Sequence, residues 1–219
     1  MSLPLHNPMR KMPFLAKNFV LLGIGEFVGK FCGFVAFAYL ARVLGPREFG
    51  QLEFALALIF FFTLFVDCGL GPYGAREIAR DESAIGHMTT HVLLVRGLLG
   101  VFGFTILIVL VAFLDKPWPV EKLILLYGLT LLAQPGLLPW VFQGRDLMGY
   151  VALASALRWL VFAVGVLIFV SAPESLWIVP VADGAAILCV VIYYFFAFHK
   201  RFGPLGNRID WRYAFSIAR

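Results

Sequence analysis

A chain of 219 residues that is 61% hydrophobic and 14% charged, with a mean hydropathy of +0.89, lies far from soluble domains, in which about a quarter of residues are charged. That composition excludes a water-soluble globular protein and implies an integral membrane protein. The formal net charge of +5 raises a nucleic-acid reading, but the basic residues fall in loops between apolar runs rather than along one face, which removes it.

Six apolar runs alternate with short polar loops, each near the about 20 residues that carry a helix across the hydrocarbon and twice the length of a barrel strand. The expected fold is all-α, a polytopic helical bundle whose six spans occupy 18–199, with a cytoplasmic segment at 1–17 and a cytoplasmic linker at 200–219. Span one, Asn18 to Arg42, carries Gly25, Gly29 and Gly33 at every fourth residue, a smooth ridge that another helix backbone can approach closely. Glu26 and Lys30 share a face beside that ridge. A charge in the middle of a lone membrane helix costs about 2.5–3.5 kcal/mol on the mildest scale, so both must face protein or water. Two readings stay open, an ion pair that holds helices together and a polar path.

The same run superficially resembles a secretory signal, with Arg10, Lys11 and Lys17 before it and Ala36-Phe37-Ala38 after it, but Glu26 and Lys30 in its core argue for a retained span. Its glycines also imitate a phosphate loop from Gly23 to Gly29, yet the last glycine falls one place late and no strand precedes it.

Gly45-Pro46 makes the next turn, and span two runs from Phe49 to Leu70, rich in phenylalanine, with Asp67 at its interfacial end. Gly69 and Gly71-Pro72 stop it. Tyr73 to Asp81 reads as a short surface helix with Arg76 and Arg80 one turn apart. Span three, Ile85 to Leu114, opens with His87 and His91 and contains Arg96. Two histidines four apart can share a metal, but no third ligand is evident, so they are read as interfacial and no metal or cofactor is expected. Span four, Glu121 to Phe142, is interrupted by Gln134-Pro135-Gly136 and Pro139. Proline removes a backbone donor and glycine loosens packing, so Pro135 and Gly136 form a predicted hinge, and interrupted membrane helices lie beside binding cavities. Span five, Val151 to Val170, contains Arg158, and span six, Trp177 to His199, contains Asp183, both too costly to face lipid. Cys32, Cys68 and Cys189 are scattered, with no disulfide or metal spacing. Beyond Pro204 the chain turns polar and basic, and Asp210 caps a further segment.

Loop charge sets the orientation. With the N-terminus inside, the inner side holds Arg10, Lys11, Lys17, Arg76, Arg80, Arg145, Lys200, Arg201, Arg208, Arg212 and Arg219, and the outer side holds Arg42, Arg47, Lys116 and Lys122. Both ends of the chain are therefore expected in the cytoplasm. No Walker sequence, serine elbow or paired-carboxylate loop is present, and an enzyme is not expected.

Three stretches together resemble the polysaccharide and lipid-linked oligosaccharide flippases of the multidrug, oligosaccharidyl-lipid and polysaccharide exporter superfamily. They are the turn Leu40-Ala41-Arg42-Val43-Leu44-Gly45-Pro46-Arg47-Glu48-Phe49-Gly50, the exit Asp67-Cys68-Gly69-Leu70 with Arg76-Glu77-Ile78-Ala79-Arg80, and Pro139-Trp140-Val141-Phe142-Gln143-Gly144. The resemblance implies two six-helix bundles around a cavity that opens alternately to either side of a bacterial cytoplasmic membrane. This chain supplies one bundle and the lead-in to a seventh span, so the expectation is an N-terminal fragment or a half-sized product completed by a C-terminal bundle or a second copy. The resemblance also implies a cation-lined cavity for the pyrophosphate and sugars of a polyprenyl-type carrier used in cell-surface polysaccharide synthesis. Lys30, Arg96 and Arg158 are its candidate substrate-binding residues, with Arg42 near the outer mouth and Glu26 holding Lys30 in place. Guanidinium suits that work because it binds phosphate oxygens in pairs and stays charged when desolvated. The alternatives are a multidrug or cation exporter, whose cavity would be dominated by carboxylates, and a non-transporting membrane scaffold or enzyme subunit. The expected partners are the lipid-linked oligosaccharide and membrane lipids.

Overall fold

In hydrocarbon no water relieves an unpaired N–H or C=O, so the apolar runs of this chain fold as helices that satisfy their own backbones. A computed structural model describes residues 12–206, with side chains from Val20 to Gly206. The expectations for Arg10, Lys11, Arg208, Asp210, Arg212 and Arg219, and for the side chain of Lys17, lie outside the described residues. The helices are α1 (Met12–Asp67), α2 (Leu70–Arg80), α3 (Ile85–Phe113), α4 (Trp118–Gly128), α5 (Thr130–Ala133), α6 (Pro139–Gly144), α7 (Met148–Phe169) and α8 (Ile178–Phe202), and among the described residues there is no strand. The chain is an all-α, multi-pass membrane protein.

Among the described residues five apolar helical stretches are long enough to cross a bilayer, and the first, Val20–Arg80, contains two crossings. At 1.5 Å per residue the 56 residues of α1 would extend about 84 Å, against a hydrocarbon core of about 30 Å. The division falls at Gly45, whose φ of 77° and ψ of 173° are open to glycine alone. Pro46 follows, where a new helical segment needs no donor. The two arms, 12–44 and 46–67, are the sequence's spans one and two.

Side-chain contacts fix the sense of every crossing. The first arm runs parallel to α7: a Cβ on Gly25 would meet Ala152, one on Gly33 would meet Trp159, and the Tyr39 hydroxyl donates to the carbonyl of Val170 at 2.8 Å. Helix α7 is antiparallel to α8, through Gly165 with Ala182 and Tyr150 with Tyr193. Helix α8 is parallel to span four, through Gly184 with Thr130 and Gly136 with Val191. Span four is antiparallel to α3, through Gly128 with Leu107 and Gly100 with Leu131. The second arm is antiparallel to α3, through Phe65 with Phe102 and Asp67 with Arg96. The senses alternate in chain order, as six successive crossings require.

The glycine ridge is the closest of these seams. A Cβ on Gly25 would lie 2.6 Å from backbone atoms of Ala152, and one on Gly29 would lie 2.9 Å from the Trp159 ring. Two apolar cores result. One, at the Gly45 end, joins Leu40, Leu44, Leu52, Tyr127, Phe162 and Val166. The other, at the Asp67 end, joins Ile78, Met88, Trp140, Phe142, Tyr194 and Phe198. Helix α2 lies over that second core: Gly74 leaves room for the Trp140 ring, which a Cβ would meet at 2.5 Å, while Arg76 and Arg80 face outward.

Span four is interrupted where the sequence indicates. Helix α4 gives way to the single turn α5, then to a 3-10 turn over Gln134–Gly136, and the chain is extended at Leu137 before α6 begins with Pro139.

Candidate functional site

The interruption of span four leaves the Leu137 carbonyl without a helical donor, and Arg96 supplies one from the middle of α3 at 3.4 Å. The other arm of the same guanidinium bonds the carboxylate of Asp67, at the end of the second arm. Arg96 thus joins spans two, three and four. Its side chain is 7% exposed and that of Asp67 is 42% exposed, so the aspartate is partly open while the arginine is enclosed. The turn after Asp67 makes this approach possible. Cys68 and Gly69 both have positive φ, and Gly71 leaves the space that the guanidinium fills, since a Cβ there would lie 2.9 Å from Arg96 Nη2. A cavity of about 290 Å³ borders the pair, lined by Thr63, Gln134 and Pro139 as well. The Nε of Arg96 is buried without a hydrogen-bond partner.

A second ion pair spans α7 and α8, where Arg158 Nη2 lies 3.2 Å from Asp183 Oδ1. Their side chains are 31% and 15% exposed, and the guanidinium also covers the Trp159 ring at 5.6 Å. Trp159 is the ring against which Gly29 and Gly33 pack, so this pair adjoins the seam of span one. Two of the three cations singled out in the sequence are therefore neutralised by aspartates.

The third is different. Lys30 is exposed, among the exposed rings of Phe27, Phe31 and Phe34, while Glu26, one turn earlier, is half-buried. Among the described residues no ion pair joins Lys30 to Glu26. Arg42 is exposed near the Gly45 end of the same arm. The structure thus sorts the five candidate binding residues into two ion pairs involving Arg96 and Arg158, and three residues along the first arm, where Glu26 is half-buried and Lys30 and Arg42 are exposed. Pro135 is buried, and a Cβ on Gly136 would lie 2.6 Å from Val191, so the interruption is wedged against α8.

Other groups at the Asp67 end are structural in character. His91 is fully buried with Nδ1 2.7 Å from the His87 carbonyl, and the two ring centroids lie 4.1 Å apart with the rings tilted by 43°. Arg145 pairs with Glu82 at 2.6 Å, tying the α6–α7 loop to the start of α3. The Ser83 hydroxyl and N–H both donate to Asp81, which holds that carboxyl below its ordinary range. Sequence reasoning did not find the aspartate partners: Asp67 lies 29 residues from Arg96 and Asp183 lies 25 from Arg158, separations with no local periodicity.

The family model described as polysaccharide biosynthesis protein matches residues 15–217. A protein of Escherichia coli (strain K12) named "Putative O-antigen transporter" is 25% identical over 181 residues, covering 74% of this chain and 40% of the relative. The chain thus spans well under half the length of that relative. No solved structure matches the chain. With a family match over nearly its whole length and an all-helical membrane bundle beneath it, this chain belongs to the polysaccharide biosynthesis protein family.

Proposed function

We propose that this bundle works within a flippase that moves a polyprenyl-pyrophosphate-linked oligosaccharide across the bacterial cytoplasmic membrane by alternating access. The family match and the name of the E. coli relative support a transport role in polysaccharide synthesis. The observation that carries the reading is the exposure of Lys30 on the first arm. A lysine facing acyl chains there would cost about 2.5–3.5 kcal/mol or more, whereas one facing an aqueous path between two bundles retains most of its hydration. The first arm then lines that path, with a second bundle opposite. Lys30 offers its charge to the pyrophosphate, with the half-buried Glu26 one turn away, and Arg42 is a second exposed cation nearer the Gly45 end of the same arm.

In this reading Arg96 and Arg158 position helices. Arg96 holds the interrupted span four to spans two and three, so that movement at Pro135 and Gly136 is felt at Asp67. The loop charge of Arg76, Arg80, Arg145, Lys200 and Arg201 supports a cytoplasmic Asp67 end in this reading. The test is a set of variants in the protein that contains this chain, with membrane abundance and lipid-linked oligosaccharide translocation measured together. Lys30→Gln is expected to keep abundance and lose translocation at least tenfold. Full translocation by Lys30→Gln at normal abundance would remove the lysine from the path.

A further inference from the structure

The Gly45 end holds a second polar feature, distant from Lys30. There the start of the second arm, the first turn of α4 and the 3-10 turn Pro173–Trp177 enclose a cavity of about 460 Å³. Two cations, Arg47 and Lys122, and two carboxylates, Glu48 and Glu174, line it. Among the described residues none of these four forms an ion pair with another. Lys122 instead sets its ammonium 5.4 Å from the centroid of the Trp177 ring.

Trp177 belongs to two cavities at once. On its other side opens a groove of about 650 Å³ between α7 and α8, walled by Leu160, Val164, Phe169, Val181 and Ala185. From Phe169 to Leu160 the groove runs about 13 Å at 1.5 Å per residue. Its floor is shallow because Gly165 meets Ala182, where a Cβ would leave only 3.2 Å. A dipolar chamber thus adjoins an apolar channel, with a tryptophan between them at the level where such rings mark the membrane interface.

We infer that this end binds one zwitterionic glycerophospholipid whose head carries a phosphate and a primary ammonium, with an acyl chain in the α7–α8 groove. The charges decide the class. An anionic lipid would satisfy Arg47 and Lys122 but bring no cation of its own to Glu48 and Glu174. A quaternary ammonium has no N–H to donate, whereas a primary ammonium offers three donors to the carboxylates. The phosphate lies at Lys122, beside Trp177, and the ammonium reaches toward Glu174 from the neighbouring turn. The site is independent of the transport reading, since it uses none of Glu26, Lys30, Arg96 or Arg158.

The experiment is lipid retention by the purified chain in detergent, read by native mass spectrometry. The probes are dioleoyl-phosphatidylethanolamine, dioleoyl-phosphatidylglycerol and free phosphoethanolamine as competitor. The wild-type chain is expected to retain the ethanolamine lipid at least fivefold over the glycerol lipid, with no displacement by an equal concentration of free phosphoethanolamine. Glu174→Gln leaves a net positive chamber and should bring the glycerol lipid level with the ethanolamine lipid or above it, a reversal that a misfolded chain would not produce. Val164→Trp fills the groove and should reduce retention of both lipids at least fivefold at an unchanged unfolding temperature. Equal retention of the two lipids by wild type, an unchanged preference in Glu174→Gln, or displacement by free phosphoethanolamine would each overturn the assignment.

Discussion

Replacing Gly25 with alanine tests whether the glycine ridge of span one is a packing seam. The added Cβ would lie 2.6 Å from the Cα, the Cβ and the carbonyl oxygen of Ala152. Two of those atoms are backbone, so no rotamer change relieves the contact and the first arm must move away from α7. Overpacking of this kind costs about 1–3 kcal/mol, and a separation would also loosen Gly29 and Gly33 from Trp159. Gly23 is the control, because a Cβ there meets nothing within 4 Å and alanine there should gain the about 0.5–1 kcal/mol by which it exceeds glycine as a helix former. Gly29→Ala should fall between them, since its nearest neighbours are the Trp159 ring and the Ser155 hydroxyl, side-chain atoms able to shift. Reversible unfolding in mixed micelles should rank the variants Gly23→Ala, Gly29→Ala, Gly25→Ala in order of falling stability. At 1.4 kcal/mol per tenfold, the last should lose about 5-fold to 140-fold in its folding equilibrium. A Gly25→Ala chain as stable as Gly23→Ala would refute close packing along this seam.

The Asp67–Arg96 pair should respond unequally to loss of either member: Asp67→Asn strands an enclosed guanidinium, whereas Arg96→Met leaves an aspartate that is 42% exposed. The first should therefore lower the unfolding temperature more, with a cost between the about 1 kcal/mol of a surface pair and the about 3–5 kcal/mol of a buried one, and the opposite order would contradict the burial. Pro135→Ala restores a backbone donor to span four and should slow transport with little change in inserted protein, so unchanged transport would remove the hinge role. Cysteines at Lys116 and Glu174 should react with an impermeant reagent from outside and a cysteine at Arg76 should not, and the reverse pattern would invert the topology.

Much of the fold is legible in the sequence because lipid leaves few choices. Run length gives the crossings, and the Gly45-Pro46 and Gln134-Pro135-Gly136 signals fall where α1 divides and span four breaks, since both depend on local backbone chemistry. The four-residue glycine repeat likewise indicates a seam, though not its partner: nothing in span one points to Ala152 or Trp159, more than a hundred residues away. The candidate site is harder for the same reason. Arg96, Arg158 and Lys30 look alike as single charges in apolar runs, and only the tertiary arrangement gives aspartates to the first two and an open face to the third. Helix α2 illustrates the limit in miniature. Its arginines indicate a surface, while Gly74 and Ile78, which seat it on Trp140 and the second core, carry no comparable signal.

Thiol accessibility at position 30 shows whether the Lys30 side of span one lines an aqueous substrate path. In a chain with Cys32, Cys68 and Cys189 replaced by alanine, Lys30→Cys should react with a membrane-impermeant thiol reagent far faster than Phe169→Cys on the exposed apolar surface of α7. Lipid-linked oligosaccharide added to the vesicles should protect it. Reaction at position 30 no faster than at position 169, with no protection by substrate, would mean that Lys30 does not line such a path.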